Sequence, residues 1–405
     1  MSVTIRELNR HFIELWLESG AALPDLGPVY TDSEKAQNEK QWLVLINQVE
    51  HTLANLPGRR EEIQTVRMNL SPAVRRLAEE TLGFEAGKLD LFPAQAFSEV
   101  SEQFVRQARA FDPSLSAEDI YQAGRNAWTA NGLQWLLGRP VQMTPAILAY
   151  SLLYPYTDNY IDDPSVSASS KQTFNERFRM RLAGEVLEPG DPHEKAIFDL
   201  VAMIEGQYPR TGHPEVFDSL LAIHHAQAES LRLLHHSGPP RGVDVLGLSF
   251  EKGGTSVLAD GCLVSPTINA AQRRYAYGHG VFAQLLDDME DIPQDSQAGR
   301  LTLYSQPDGR GSLEGLANRT FQFGRKVLMG LDCFEVEGSV RKLIQRAADL
   351  FLIDAVGRTD LYYSRPYLRE LEAHSPFRFS FLKEKRKVFF SRHESFVKLL
   401  ESMML

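Results

Sequence analysis

The chain has 405 residues, 43% of them hydrophobic, only two cysteines and a net charge of −10. That length and apolar content can bury a large core, and the acidic balance argues against nucleic acid as the main partner. Cys262 and Cys333 give no disulfide framework, the charged N-terminus lacks the apolar run of a signal peptide, and no stretch nears the roughly 18 apolar residues of a membrane span, so a cytoplasmic protein is expected.

In chain order, apolar residues recur mostly near a 3.6-residue period without sustained alternation, which predicts an all-α fold. Helices are expected over 4–20 and 34–55, the second capped by Ser33, with Pro24, Gly27, Pro28 and Pro57-Gly58 as punctuation. Another covers 94–111. After DPSLSAED, Ser116 precedes a helical run that carries Arg125 to Leu137 and stops at Gly138-Arg139-Pro140. Residues 1–115 read as a helical extension packed on a core domain of residues 116–405.

Thr144 opens the next helix, whose apolar run AILAYSLLYPYT leads into Asp158, Asp162 and Asp163 before Pro164 closes it. The cluster thus lies at a helix C-terminus, where the dipole disfavours acids. His224-His225 and His235-His236 have no carboxylate or cysteine at ligand spacing and read as solvent-facing or core histidines. Between Ser249 and Pro266 the adjacent Gly253 and Gly254 cost roughly 1 kcal/mol each relative to alanine, which predicts a break or kink. The segment YAYGHGVFAQLL then leads into Asp287, Asp288 and Asp291. The C-terminal run KEKRKVFFSRHESFVKLLESMML is basic and amphipathic and reads most simply as a packing helix, with weak membrane association as the alternative.

Helical spacing puts Asp158 with Asp162, and Asp291 with Asp287 and Asp288, on shared faces. Such acidic pairs are commonly a solvated helix face. Here both clusters end apolar segments, where unpaired carboxylates are costly, and a shared cation removes that cost. Hard carboxylate oxygens suit Mg²⁺, which takes one or two of them and fills its other positions with waters and phosphates. The expected ligand is therefore a diphosphate.

The wording GxxxQxxDDxxD from Gly280 to Asp291, with the paired clusters and their helical setting, resembles the class I isoprenoid synthases: polyprenyl diphosphate synthases, squalene and phytoene synthases, and terpene cyclases. The resemblance runs from about Arg125 to Arg365. It implies a helical bundle with an active-site cavity between helices and two or three Mg²⁺ held by Asp158, Asp162, Asp163, Asp287, Asp288 and Asp291. Asp158, Asp162, Asp287 and Asp291 would be catalytic. Gln284 stands three residues before Asp287, as in chain-elongating members. Lys252 and Thr255 resemble a Lys-Thr pair that contacts the diphosphate, with two glycines inserted. Tyr363 and Arg365 resemble an Arg-Tyr pair that some cyclases turn toward the diphosphate, and Arg125 and Asn126 are further candidates.

The reaction so implied is heterolysis of a prenyl diphosphate to an allylic cation inside a dry pocket, with aromatic faces from Tyr154, Tyr156, Tyr160 or Phe282 around it. The first cluster, DxxxDD, is nearer the squalene and phytoene synthase style and points to a terpene synthase of a divergent bacterial-type branch. The second motif favours a prenyltransferase, so both readings stay open, beside a non-catalytic prenyl-diphosphate-binding protein. Dimers are common in the family, which makes a homodimer an expectation.

Overall fold

Side-chain hydroxyls and carboxylates mark the helix starts in the computed structural model, which describes residues 4–54, 75–163, 165–234, 242–305 and 313–390, without the side chains of 49–50, 52–54, 162 and 386–390. Pro57-Gly58, Pro164, His235-His236 and the run beyond residue 390 lie outside the described residues. Helix α1 (Ile5–Leu17) opens at Thr4, whose hydroxyl accepts the Glu7 N–H while Glu7 reaches back to the Thr4 N–H, a reciprocal cap that satisfies two orphan donors. Helix α2 (Asp32–Ala54) opens the same way at Thr31, which pairs with Glu34. Ser33, expected as its cap, lies inside the first turn, because only Thr31 has a glutamate three residues on.

The chain continues through α3 (described over 75–81), α4 (Ala94–Phe111), α5 (Ala117–Leu136), α6 (Pro145–Asp162), α7 (Ala168–Leu182), α8 (Pro192–Gln207) and α9 (Pro214–Ser230). It ends in α10 (Val245–Val264), α11 (Ala270–Glu290), α12 (Ile292–Ala298), α13 (Glu314–Met329), α14 (Gly338–Arg358), α15 (Arg365–Ala373) and α16 (Phe379–Phe390). Ser116 with Asp119 caps α5, and Thr144 caps α6. Among the described residues every regular element is helical, and no helix is long and apolar enough to cross a membrane.

Helix α10 is buried along almost its whole length and forms the centre, with α11 lying against it and α5, α6 and α9 on its other flanks. Helices α13 and α14 cover α11, and α1 touches α10, α11 and α13. The glycine pair Gly253-Gly254 does not break α10, contrary to expectation: the helix runs uninterrupted from Val245 to Val264. The glycines serve packing instead. A Cβ on Gly253 would stand 2.6 Å from the Gly280 carbonyl oxygen, one on Gly254 would enter the Tyr277 ring, and one on Gly280 would meet the Gly253 carbonyl. The propensity cost in α10 is offset by backbone contact with α11.

On the far side of α11, Phe12 of α1 stacks on Tyr277 at 5.7 Å between ring centroids, over Gly278. Trp16 meets Phe250 and Phe323 edge-on at 6.0 and 5.6 Å. Residues of α1 and α4 belong to the same apolar cluster as α5 to α14, so the core continues across residue 115. Buried Lys35, Asn38 and Glu39 of α2 hold the end of α15 and the segment after it, through the Glu372 and Pro376 carbonyls and the Arg378 guanidinium.

Gly280→Ala is expected to destabilise the fold by about 1–3 kcal/mol, because its methyl must push two backbones apart. Gly132→Ala in α5, where an added Cβ meets nothing within 4 Å, should be neutral or slightly stabilising. Thermal unfolding of both variants checks this, and equal midpoints would refute the close crossing.

Candidate functional site

Four of the expected acids reach one cavity. Asp158 from α6, and Asp287, Asp288 and Asp291 from the end of α11, line a chamber of about 130 Å³ together with Lys252, Gln227 and Gln284. A larger adjoining chamber of about 490 Å³ shares Asp287, Asp291, Lys252, Gln227, Gln284 and Tyr154 with it. Its rim is at Arg125 and Asp287, whose side chains are 62% and 48% exposed. Its inner wall includes buried Phe178, Leu182 and Val257.

The α10–α11 crossing sets this arrangement. Lys252 directly precedes Gly253, and the Gln284 Cβ lies where a side chain on Gly253 would have to go. One turn further on, the Gln284 carboxamide donates to Asp288 Oδ1 at 2.8 Å. Asp288 is 3% exposed, and its Oδ2 has no partner among the described residues. Burial pushes its carboxyl up to about 8, with the Gln284 hydrogen bond opposing. Asp291, which ends α11, is raised by burial and then by neighbouring Asp287. Asp287 faces Arg125 Nη2 at 3.4 Å, a solvated pair of little energetic weight. Asp158 accepts from Gln227 Nε2 at 3.1 Å and from the Thr157 hydroxyl at 3.2 Å.

Sequence reasoning missed Asp295 on α12, which lines the smaller chamber with Arg300. Burial pushes its carboxyl up to about 6 against the pull of Arg300. Its signal was present, since Asp287, Asp291 and Asp295 recur every four residues, but Pro293 separates it from the others. Gln227, within the apolar α9, carried no signal of its own.

Other expected residues stand elsewhere. The backbone of Asp162 ends α6, and its side chain lies outside the described residues. Asp163 lines neither chamber; hydrogen bonds from Ser165 hold its carboxyl below the usual range. Thr255 is 1% exposed, and its hydroxyl donates to the Glu251 carbonyl at 2.6 Å, turned back along its own helix. Tyr363 is buried against Tyr367, Arg365 is exposed at the start of α15, and neither lines a chamber. Of the four aromatics expected around the cavity only Tyr154 lines it. Phe282 packs on Gly324, Tyr156 donates to Asp112 at 2.6 Å, and Tyr160 stacks on His193. His224 is a satisfied core histidine, 3.1 Å from the Asn175 carbonyl, although it also borders the larger chamber. The larger chamber is also less apolar than expected, since Asn126, Thr129, Thr157 and Ser256 stand among its aliphatic residues.

Among the described residues no three His, Cys, Asp or Glu side chains stand close enough to hold one metal ion. Mg²⁺ does not need three, because waters and phosphate oxygens complete its shell. The all-oxygen donors and the unpartnered Asp288 Oδ2 fit such an ion chemically. Comparison of the chain with protein-family models, with curated proteins and with solved structures finds no match.

The raised Asp288 carboxyl makes metal-free stability fall with pH. The folded state holds this proton up to about pH 8, whereas the unfolded chain releases it near the ordinary value of about 4. The contribution is therefore fully present below about pH 4 and lost as pH rises toward 8. In chelator-treated protein Asp288→Asn should raise the melting temperature at pH 8 and leave it nearly unchanged at pH 4. A gain of the same size at both ends would show that Asp288 is not the group titrating.

Proposed function

We propose that the protein ionises a prenyl diphosphate in this cavity with Mg²⁺, as a class I terpene synthase that cyclises or quenches the resulting allylic cation. One observation carries the reading: acids distant in sequence, Asp158 on α6 and Asp287, Asp288 and Asp291 on α11, line a single chamber that also holds Lys252. Solvated surface acids would have no cause to converge on a shared interior with a lysine among them. The resemblance of the Gly280–Asp291 wording to class I isoprenoid synthases supports the same assignment.

Asp158, Asp287 and Asp291 would share two or three Mg²⁺ between them, each ion completing its shell with waters and diphosphate oxygens, with Asp288 backing them from inside. Bound there, Mg²⁺ supplies neutralisation of the charge that builds on the departing diphosphate. Lys252 places a point charge at the phosphate end, and Arg125 and Arg300, which line the larger chamber, add to the positive field there. Gln284 fixes Asp288, Gln227 fixes Asp158, and Tyr154 offers an aromatic face beside both chambers. Leu153, Leu182, Leu220 and Ile223 give the hydrocarbon chain an apolar wall.

A second reading, a prenyltransferase, is favoured by Gln284 and the unbroken DDxxD of the second motif. Purified protein with Mg²⁺ and geranyl, farnesyl, geranylgeranyl or geranylfarnesyl diphosphate, each with and without isopentenyl diphosphate, separates the two. A hydrocarbon or alcohol from one diphosphate alone is the expected product; a longer diphosphate made only with isopentenyl diphosphate assigns chain elongation instead. Asp158→Asn and Asp287→Asn should each lower turnover at least about a hundredfold, the order lost when a preorganised charged group is removed. No diphosphate release from any substrate would sink both readings.

A further inference from the structure

The proposed ionisation makes no use of a buried polar cluster behind the larger chamber. Asp260 of α10 is 1% exposed, two helical turns beyond Lys252, or about 12 Å along the axis. Its Oδ1 accepts from the Asn126 carboxamide at 3.1 Å. The same Asn126 Nδ2 stands 3.2 Å from the hydroxyl oxygen of Ser151, a residue with no exposed surface. Asp260 Oδ2 is buried and has no partner among the described residues.

The cluster opens onto the cavity through Asn126, which lines the larger chamber. Ser256 and Val257, one turn before Asp260 on the same α10 face, line it as well, and so does Tyr150, whose hydroxyl donates to the Ser256 carbonyl at 3.1 Å. On α6, Ser151 lies two turns before Asp158, so α6 and α10 both run from the acidic chamber to this cluster. Pro155, between them, has no N–H to give the Ser151 carbonyl.

A carboxyl placed only for packing would leave a buried polar atom unsatisfied, which is costly. Buried polar groups are kept where something answers them. Burial holds the Asp260 carboxyl well above the usual carboxylate range. In that neutral form the carboxyl accepts from Asn126 through one oxygen and offers an O–H through the other.

We propose that Asp260, Asn126 and Ser151 form a second polar subsite, which holds one hydroxyl oxygen remote from the acids, belonging either to a water molecule or to the ligand. The subsite itself does not depend on the ionisation. The use of that oxygen does rest on that reading: a water held there adds a lone pair to the cationic carbon, a C–O bond forms, and the displaced proton passes to the released diphosphate, giving an alcohol. An oxygen carried by the ligand instead fixes which prenyl chain is accepted, since a site built around a hydroxyl rejects the analogue that lacks it.

Crystal structures of the full chain, alone and soaked with 8-hydroxygeraniol, whose second hydroxyl lies at the far end of its chain, read the subsite without any turnover. One oxygen is expected about 3 Å from Asp260 Oδ2, and it should be absent in Asp260→Leu. If that far hydroxyl replaces it, the ligand is the source; if a water stays in place, water is. A dry Asp260 in both crystals overturns the proposal whatever the protein does to diphosphates. Should turnover in ¹⁸O water yield a labelled alcohol, Asp260→Leu should cut the alcohol share of the product at least tenfold while diphosphate is still released, and Asp260→Asn, which keeps an acceptor and a donor, should retain most of it. An unchanged alcohol share in Asp260→Leu also overturns it.

Discussion

Everything at the cavity depends on how closely α10 and α11 approach. With any side chain at Gly253 or Gly280 the backbones would have to separate, since each Cβ would stand well inside van der Waals contact with the opposite carbonyl. The contact fixes the register of the two helices at the point where Lys252, Gln284 and Asp288 emerge. Interiors pack at crystal-like density and pass a local shift on to their neighbours. A widening here would therefore reach the Gln284–Asp288 hydrogen bond directly. The glycine at the head of GxxxQxxDDxxD thus has a packing reason, independent of any ligand.

The same constraint explains why the N-terminal helix belongs to the site's support. Helix α11 carries its acids on one side and small residues on the other, and Phe12 fills the space over Gly278 that a larger residue would occupy. With Trp16 against Phe250 and Phe323, α1 holds α10, α11 and α13 together from behind. Burying Asp288 at the front of this rigid pair has an electrostatic cost, visible in its raised carboxyl. Functional sites are the usual place where such a cost is retained.

The local parts of the fold were legible because their causes are local. Thr4, Ser116 and Thr144 cap helices that the apolar period already indicated, and the all-helical class follows from that period. Gly253-Gly254 was misread because propensity reports only what a glycine costs its own helix. The gain lies with Gly280, in another helix. Asp158 and the Asp287 cluster each follow an apolar run, and both line one chamber. Thr255, Tyr363 and Arg365 were placed by resemblance alone, and no periodicity said which way they point: Thr255 turns to its own backbone, and the other two stand away from both chambers. Asp295 lies beyond Pro293, which sits in the first turn of the new helix α12, where a proline is well placed.

The cavity that results has two chemical ends. Its acidic end gathers carboxylates around a lysine, a composition that answers a multivalent cation and an anion together. Its other wall mixes aliphatic residues with Asn126, Thr129 and Ser256. A ligand of hydrocarbon alone would strip water from those groups and return no hydrogen bond, at a cost comparable to the gain from burying its own methylenes. A chain that brings or traps one oxygen avoids that cost. On the proposed function, such a wall would suit a ligand that is charged at one end and oxygenated, or hydrated, at a point well removed from it.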